Sequence, residues 1–228
     1  MKAKIVILMT LVSVIVTFNT VIKQQVFQHP EFRKSSSPLS FGINTAYAYP
    51  PAVGILTTSK NCLSCHVNNG PWKDDDKTVI DILDSESKKS LKQPDGSFLI
   101  EVKRGIQRTV LTVIGRKNDP SIAEPYRNAW LYIDPATIGT SSLSKFAPGW
   151  DINLPMSCRL AGDKLTGYEN THITSLPMTI QPLHNAKNTE IQLQIMLTKG
   201  ESLKGNAKEG MLGNYFEKRV NLIVEKED

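Results

Sequence analysis

Two thiols three positions apart, followed at once by an imidazole, give the stretch Cys62-Leu63-Ser64-Cys65-His66 the densest chemistry in this chain. On one tight helical turn both sulfurs lie on one side, and the histidine ring can swing beneath whatever they hold. A polypeptide with that arrangement captures a porphyrin covalently: Cys62 and Cys65 form thioethers to its two vinyl groups, and His66 binds the iron as proximal ligand. With three cysteines and four histidines in 228 residues, the pattern is specific. A zinc site would need a second ligand pair at similar spacing, and a thioredoxin-like disulfide would need a βαβ setting; neither is visible. One covalent haem c is the expected cofactor.

The second axial position then decides the chemistry. Side chains with a suitable lone pair are Met156, Cys158, His172, Met178, His184, Met196 and Met211. Met178 and Met196 fall in strand-like segments and are expected to pack there, Met196 in the core or on the opposite strand face. His184, before Asn185-Ala186-Lys187-Asn188, reads as an exposed loop histidine, and His172 as a ligand, a distal hydrogen-bond donor or a surface group. Cys158 is the odd cysteine once the motif is assigned, and in an exported protein a thiol oxidises unless it is buried or bonded. Its setting, Leu154-Pro155-Met156-Ser157-Cys158-Arg159, reads as a proline-bearing loop between strands, with Arg159 placed to favour the thiolate. On the residues alone, Cys158, Met156 and an open or water-bound position all remain.

Residues 1–48 read as an export leader: Lys2 and Lys4, an apolar run from Ile5 to about Phe18, and a small-x-small signal at Ala46-Tyr47-Ala48. Export fits the motif, because haem is attached to such sequences outside the cytoplasmic membrane. About 27 residues separate the apolar run from the cleavage signal, a long interval for such a leader. The alternative is that Ile5 to Ile22 stays as a short anchor. The leader also carries most of the formal charge of +5. Without its five basic residues and Glu31, 22 basic and 21 acidic residues remain. That balance gives no electrostatic basis for binding nucleic acid or an anionic membrane.

The elements that must position the motif can be read from the rest of the chain. Tyr49 to Thr58 reads as extended and proline-stiffened, with Thr58-Ser59 as an N-cap for the motif turn, and Asn68-Asn69-Gly70-Pro71-Trp72 ends any helix there. Asp74-Asp75-Asp76-Lys77 lacks the carboxylate spacing and central glycine of a calcium loop and reads as solvated. From Thr78 the hydrophobic period becomes two. Thr78–Leu83, Phe98–Lys103, Arg108–Ile114, Trp130–Ile133, Met178–Leu183, Ile191–Leu197 and Val220–Val224 read as about seven strands, with turns at Asp95-Gly96 and Gly105. Ser121–Asn128 reads as a short helix between Pro120 and Pro125. The fold expected is mainly β: an antiparallel β-sandwich of residues 76–228, carrying a short, irregular haem-attachment segment at 49–75 as part of the same domain. Common small cytochromes c are nearly all helical, so the family lies elsewhere.

Several stretches together resemble the small monohaem cytochromes c of anaerobic ammonium-oxidising bacteria that form the NaxLS heterodimer. These are Tyr49-Pro50-Pro51-Ala52-Val53-Gly54, Asn61-Cys62-Leu63-Ser64-Cys65-His66, the single later Cys158, and a β-rich half ending in Gly213-Asn214-Tyr215-Phe216-Glu217-Lys218-Arg219-Val220. The resemblance runs from about Tyr49 to the end. It implies iron held by His66 and Cys158, a homologous partner subunit, very low reduction potential, binding of NO and CO, and residence in the periplasm or the anammoxosome lumen. A thiolate ligand stabilises ferric over ferrous iron, consistent with a low potential. The expected function is an exported monohaem cytochrome that binds diatomic ligands as sensor, scavenger or redox protein. Its rival is a conventional electron carrier with methionine or histidine as sixth ligand. Peroxidase or nitrogen-oxide catalysis would need an acid–base group beside a vacant position, with His172 or Arg159 as candidates. No paired carboxylates, nucleophile elbow or phosphate loop point to another enzyme.

Overall fold

Strands dominate because Val, Ile, Thr and aromatic residues recur at period two between short turns. The computed structural model describes residues 61–64, 66–137, 146–153, 155–199 and 212–225. The leader, the extended segment Tyr49 to Thr58, Cys65 and Met211 lie outside the described residues.

Among the described residues there are ten strands: β1 (Val67–Asn68), β2 (Thr78–Asp84), β3 (Phe98–Lys103), β4 (Arg108–Lys117), β5 (Arg127–Ile133), β6 (Trp150–Asn153), β7 (Met156–Leu160), β8 (Thr171–Pro182), β9 (Thr189–Thr198) and β10 (Leu212–Glu225). They form two sheets. The first runs β1-β10-β9-β5-β7, with β3 also on β10; the second runs β2-β4-β8-β6. Only β9 and β10 are both consecutive and paired, so long crossings, not hairpins, build the fold. The mainly β sandwich expected from periodicity is present. Two pairings are parallel, however: β1 lies along the start of β10 and β3 along its end. Both take the side of β10 that β9 leaves open.

Alternation sets the layers. Ile191, Leu193, Ile195 and Leu197 of β9 point inward with Trp130 and Tyr132 of β5, and meet Ile82, Val110, Ile114, Met178 and Ile180 from the second sheet. Each fully buried side chain of this size contributes about 1.5–3 kcal/mol relative to exposure. Met178 is thus core, as its sequence setting indicates. The turns also match: Gly96 (φ 82°) and Gly105 (φ 71°) adopt the left-handed backbone that only glycine takes freely.

Two local expectations fail. Ser121–Asn128 is not helical: Asp119 accepts hydrogen bonds from the Ser121 amide (3.0 Å) and hydroxyl (2.6 Å), and β5 begins at Arg127. An aspartate bonding the backbone two residues on stabilises a turn in place of a helix start, and Pro125 stops a helix extending. Nor is Cys158 on a loop. Met156–Leu160 pair antiparallel with Leu131–Arg127, while Pro155, which has no amide proton, sits just outside the strand and accepts from the Tyr132 amide at 2.8 Å. Among the described residues, no helix is long and apolar enough to cross a membrane.

Candidate functional site

The motif sits on the outer face of the first sheet. Cys62–Ser64 form one 3-10 turn, and the His66 amide donates to the Cys62 carbonyl at 3.0 Å. The residues just after the motif hold it in place. Val67 and Asn68 pair with Leu212 and Gly213 of β10, Asn68 Oδ1 accepts from the Tyr215 amide at 3.0 Å, and the Gly70 amide donates to the Gly213 carbonyl at 2.9 Å. The Trp72 amide donates to Asn214 Oδ1 at 2.6 Å, and its indole is fully buried. Gly70 is required there, since a Cβ would stand 2.7 Å from Asn214 Oδ1 and 3.0 Å from the Gly213 backbone.

Beneath the turn lies a row of four residues in register across four strands. Cys158 (β7) is opposite Ala129 (β5), Ala129 is opposite Met196 (β9), and Met196 is opposite Tyr215 (β10). Cys62, Ala129 and Met196 form one buried cluster, with Cys158 and Tyr215 packed against it. The next row on the same face is Met156, Leu131, Gln194 and Glu217. Gln194 is buried, and its Oε1 lies 3.9 Å from Cys62 Sγ, within reach of a thiol hydrogen bond.

The cysteine singled out by arithmetic and the first cysteine of the motif, 96 residues apart in sequence, therefore belong to one cluster. Cys158 is half-buried. Arg159 points to the opposite face by strand alternation and pairs with Asp163 at 3.7 Å, so it is not the cation expected beside the sulfur. Met156 shares the outer face with Cys158 but packs on Leu131 and Ile133. His172 belongs to the second sheet, where Nδ1 is 3.0 Å from Glu124 Oε2, and His184 is exposed in the turn after β8. Neither is brought to the motif. Met196 is, on the strand face opposite the core.

Tyr215 and Gln194 carry no signal of their own in the linear sequence. Both emerge from strand alternation: they fall on the outward parity of β10 and β9, beside the row that carries Met196. The Tyr215 hydroxyl donates to Glu217 Oε2 at 2.8 Å. Burial and that carboxylate push the phenol pKa well above its ordinary value, and Cys62 acts in the same direction. Tyr215 and Glu217 also line a groove of about 510 Å³ with Asn68, Lys73, Asn214 and Lys218.

The donor set fits a haem c in its chemistry. A thiol of the attachment motif lies on a water-poor patch whose centre is an alanine, with a thiol and a thioether on either side of that alanine. Among the described residues, no three His, Cys, Asp or Glu side chains are grouped to hold a bare metal ion.

No family model matches the sequence, and no curated protein does. Among solved structures, the chain superposes on WR4, a C. elegans MSP family member, with TM-score 0.30 and 10% identity, covering 56% of this chain and 92% of that one. It also superposes on AvmM, which catalyses macrocyclization in alchivemycin A biosynthesis, with TM-score 0.26 and 10% identity, covering 72% and 97%.

Proposed function

We propose that this protein is an exported monohaem c-type cytochrome with His66 and Cys158 as axial ligands, of low reduction potential, that binds diatomic ligands such as NO or CO. The observation that carries this reading is the shared cluster of Cys62 and Cys158: the motif turn rests on the sheet face that also presents the remaining cysteine. The resemblance to the NaxLS-type cytochromes supports the same ligand pair. It also motivates a homologous partner subunit and residence in the periplasm or the anammoxosome lumen.

When bound, the haem supplies an iron centre for one-electron chemistry and for binding small gases. The chain would do the rest. Cys62 and Cys65 would tether the group, and His66 and Cys158 would hold its iron, the anionic sulfur favouring the ferric state. Ala129, with only a methyl group, is the smallest side chain of the patch. Leu131 and Met196 keep water from the patch, and a drier site strengthens the pull of the thiolate. Release of Cys158 on reduction would clear a position for a gas.

Electron paramagnetic resonance of the oxidised protein tests the reading. A low-spin thiolate signature in the wild type that vanishes in Cys158→Ala is expected; an identical spectrum in the two proteins refutes Cys158 as ligand. The conventional electron carrier draws support from Met196, a sulfur in the same cluster as Cys62. Potentiometry separates the two: a midpoint in the range of respiratory carriers, with no response to CO, favours the carrier.

A further inference from the structure

The two edges of β10 are filled differently. Along one edge β9 pairs without a break from Gly213 to Leu222. Along the other, β1 covers Leu212 and Gly213 and β3 covers Val220 to Glu225, so none of the described strands pairs with Asn214 to Arg219. At the rise of a strand this leaves a slot about 20 Å long in the first sheet, closed at both ends by strands of the same chain. The groove of about 510 Å³ lined by Asn68, Lys73, Tyr215 and Lys218 lies along it.

Two hydrogen bonds at the β1 end fix which backbone groups face the slot. The Gly213 carbonyl accepts from the Gly70 amide at 2.9 Å, and the Tyr215 amide donates to Asn68 Oδ1 at 3.0 Å. Backbone groups alternate along a strand, so the Tyr215 carbonyl, both groups of Glu217 and the Arg219 amide point the same way. They present a ladder that no described strand takes up. Side chains divide by the same parity. Phe216, which packs on the main core, and Lys218 lie on the core side of the slot, and Tyr215 and Glu217 on its outer side.

We infer that this slot binds one extended peptide segment of a partner chain, apolar beside Phe216 and acidic beside Lys218 and Lys73, which completes the sheet by strand addition. The inference does not depend on haem. The flanks decide the shape of the occupant. A whole sheet edge, β10 of a second copy included, brings neighbouring strands that would run into β1 or β3, whereas an isolated tail or loop fits between them. The charges decide its chemistry. Arg219 is held by Asp95 at 2.8 Å and Glu190 at 3.8 Å, and Glu217 accepts from the Tyr215 hydroxyl at 2.8 Å. Lys73 and Lys218 form no ion pair among the described residues, and Asp75 is the one other carboxylate lining the groove with them. The positive charge left over there matches an acidic side chain on the incoming strand.

The probe is a phage-displayed library of linear octapeptides, selected on the full chain. Enriched sequences should carry an apolar and an acidic residue two positions apart. The leading synthetic peptide should slow hydrogen exchange at the Glu217 and Arg219 amides by about tenfold or more. Glu217→Pro removes a donor that faces the slot and leaves the β9 ladder intact, so it should keep the wild-type circular dichroism and bind that peptide about tenfold more weakly or worse. Lys218→Glu keeps every backbone group and reverses one charge, and it should weaken the same peptide by about tenfold. No enrichment, or equal binding by wild type and Lys218→Glu, overturns the inference, as does undiminished binding by a folded Glu217→Pro. Glu217 and Arg219 amides already protected in the protein alone would give the slot to the chain itself and overturn it too. So would a dimer in sedimentation that Glu217→Pro dissociates, which would give the slot to a second copy.

Discussion

Cys158 faces Ala129 directly across the β7–β5 ladder, and that one pairing places the sulfur under the motif turn. A residue as small as alanine at the centre of a buried cluster is informative, because its neighbours on β5, Trp130, Leu131, Tyr132 and Ile133, are all bulky. Replacement of Ala129 by phenylalanine should fill the patch. The expected result is a folded protein destabilised by about 1–3 kcal/mol through overpacking and, on the proposed reading, a covalently haem-loaded fraction reduced severalfold. Intact-mass spectrometry and thermal denaturation read the two effects separately. Unchanged loading would mean that the patch takes no part in holding the group.

If Cys158 is the anionic ligand, Cys158→Ala should raise the midpoint potential and remove the thiolate signature of the oxidised protein. Met156→Leu should do neither, since Met156 packs on Leu131 and Ile133 and not on the motif cluster. A potential shift in Met156→Leu and none in Cys158→Ala would reverse the assignment on this strand.

What can be read in the sequence divides by range. Ile191 to Leu197 announce β9 by alternation alone, and Phe98–Lys103 coincide with β3, because a half-buried strand writes its period locally. The Cys62–His66 motif is equally plain, since its residues stand at fixed local spacing. The parallel seating of β1 and β3 along β10 leaves no local trace: the partners are more than a hundred residues away, and pairing register is a property of two segments together. Cys158 can be singled out by counting cysteines but not placed on a strand, because Pro155 reads as a loop signal and here marks only where β7 begins. Met196 reads as packing because it lies within the strongest alternating segment. That it packs against Cys62 depends on which face of the first sheet the turn covers.

Tyr132 and Thr112 link the two sheets inside the core, their hydroxyl oxygens 2.8 Å apart. Burial pushes the Tyr132 phenol pKa far above its ordinary value, so it is neutral throughout the stable range. Tyr132→Phe keeps the ring but leaves the buried Thr112 hydroxyl without this partner. The expected loss is about 1–3 kcal/mol in denaturant unfolding, the cost of an unmatched buried polar group. Restoration by the double variant Thr112→Val/Tyr132→Phe to within about 1 kcal/mol of wild type would confirm that the cost lies in the unmatched hydroxyl. A double variant as unstable as the single one would place it elsewhere.

Lys88 is in the left-handed region, with φ at 58°, in the turn after β2. For a residue with a Cβ this conformation costs about 1 kcal/mol, and glycine adopts it freely. The Lys88 side chain is exposed and donates to the Ser85 carbonyl, 2.5 Å away. Lys88→Gly should therefore stabilise the protein by a few tenths of a kcal/mol up to about 1 kcal/mol. Lys88→Val should destabilise it, and equal midpoints for the two variants would show that the turn relaxes around either.

The same turn carries the clearest acid-sensitive group. Asp84 accepts from the Ser87 amide and hydroxyl, both at 2.9 Å, and from the Glu86 amide at 3.2 Å, and its other oxygen is 3.1 Å from Arg108 Nη2. The Ser87 amide is the largest cause, and together these donors hold the carboxyl at about 2, below its ordinary value of 3.8. A folded-state pKa depressed in this way stabilises the native protein above pH 3.8, and the contribution drains away as pH falls from there through about 2. Solvent near this partly exposed turn limits it to about 1–2 kcal/mol. Asp84→Asn removes the titrating group, so its unfolding free energy should fall less steeply than wild type between those two pH values. Parallel curves for the two proteins across that window would show that the carboxylate is no better held in the fold than in the unfolded chain.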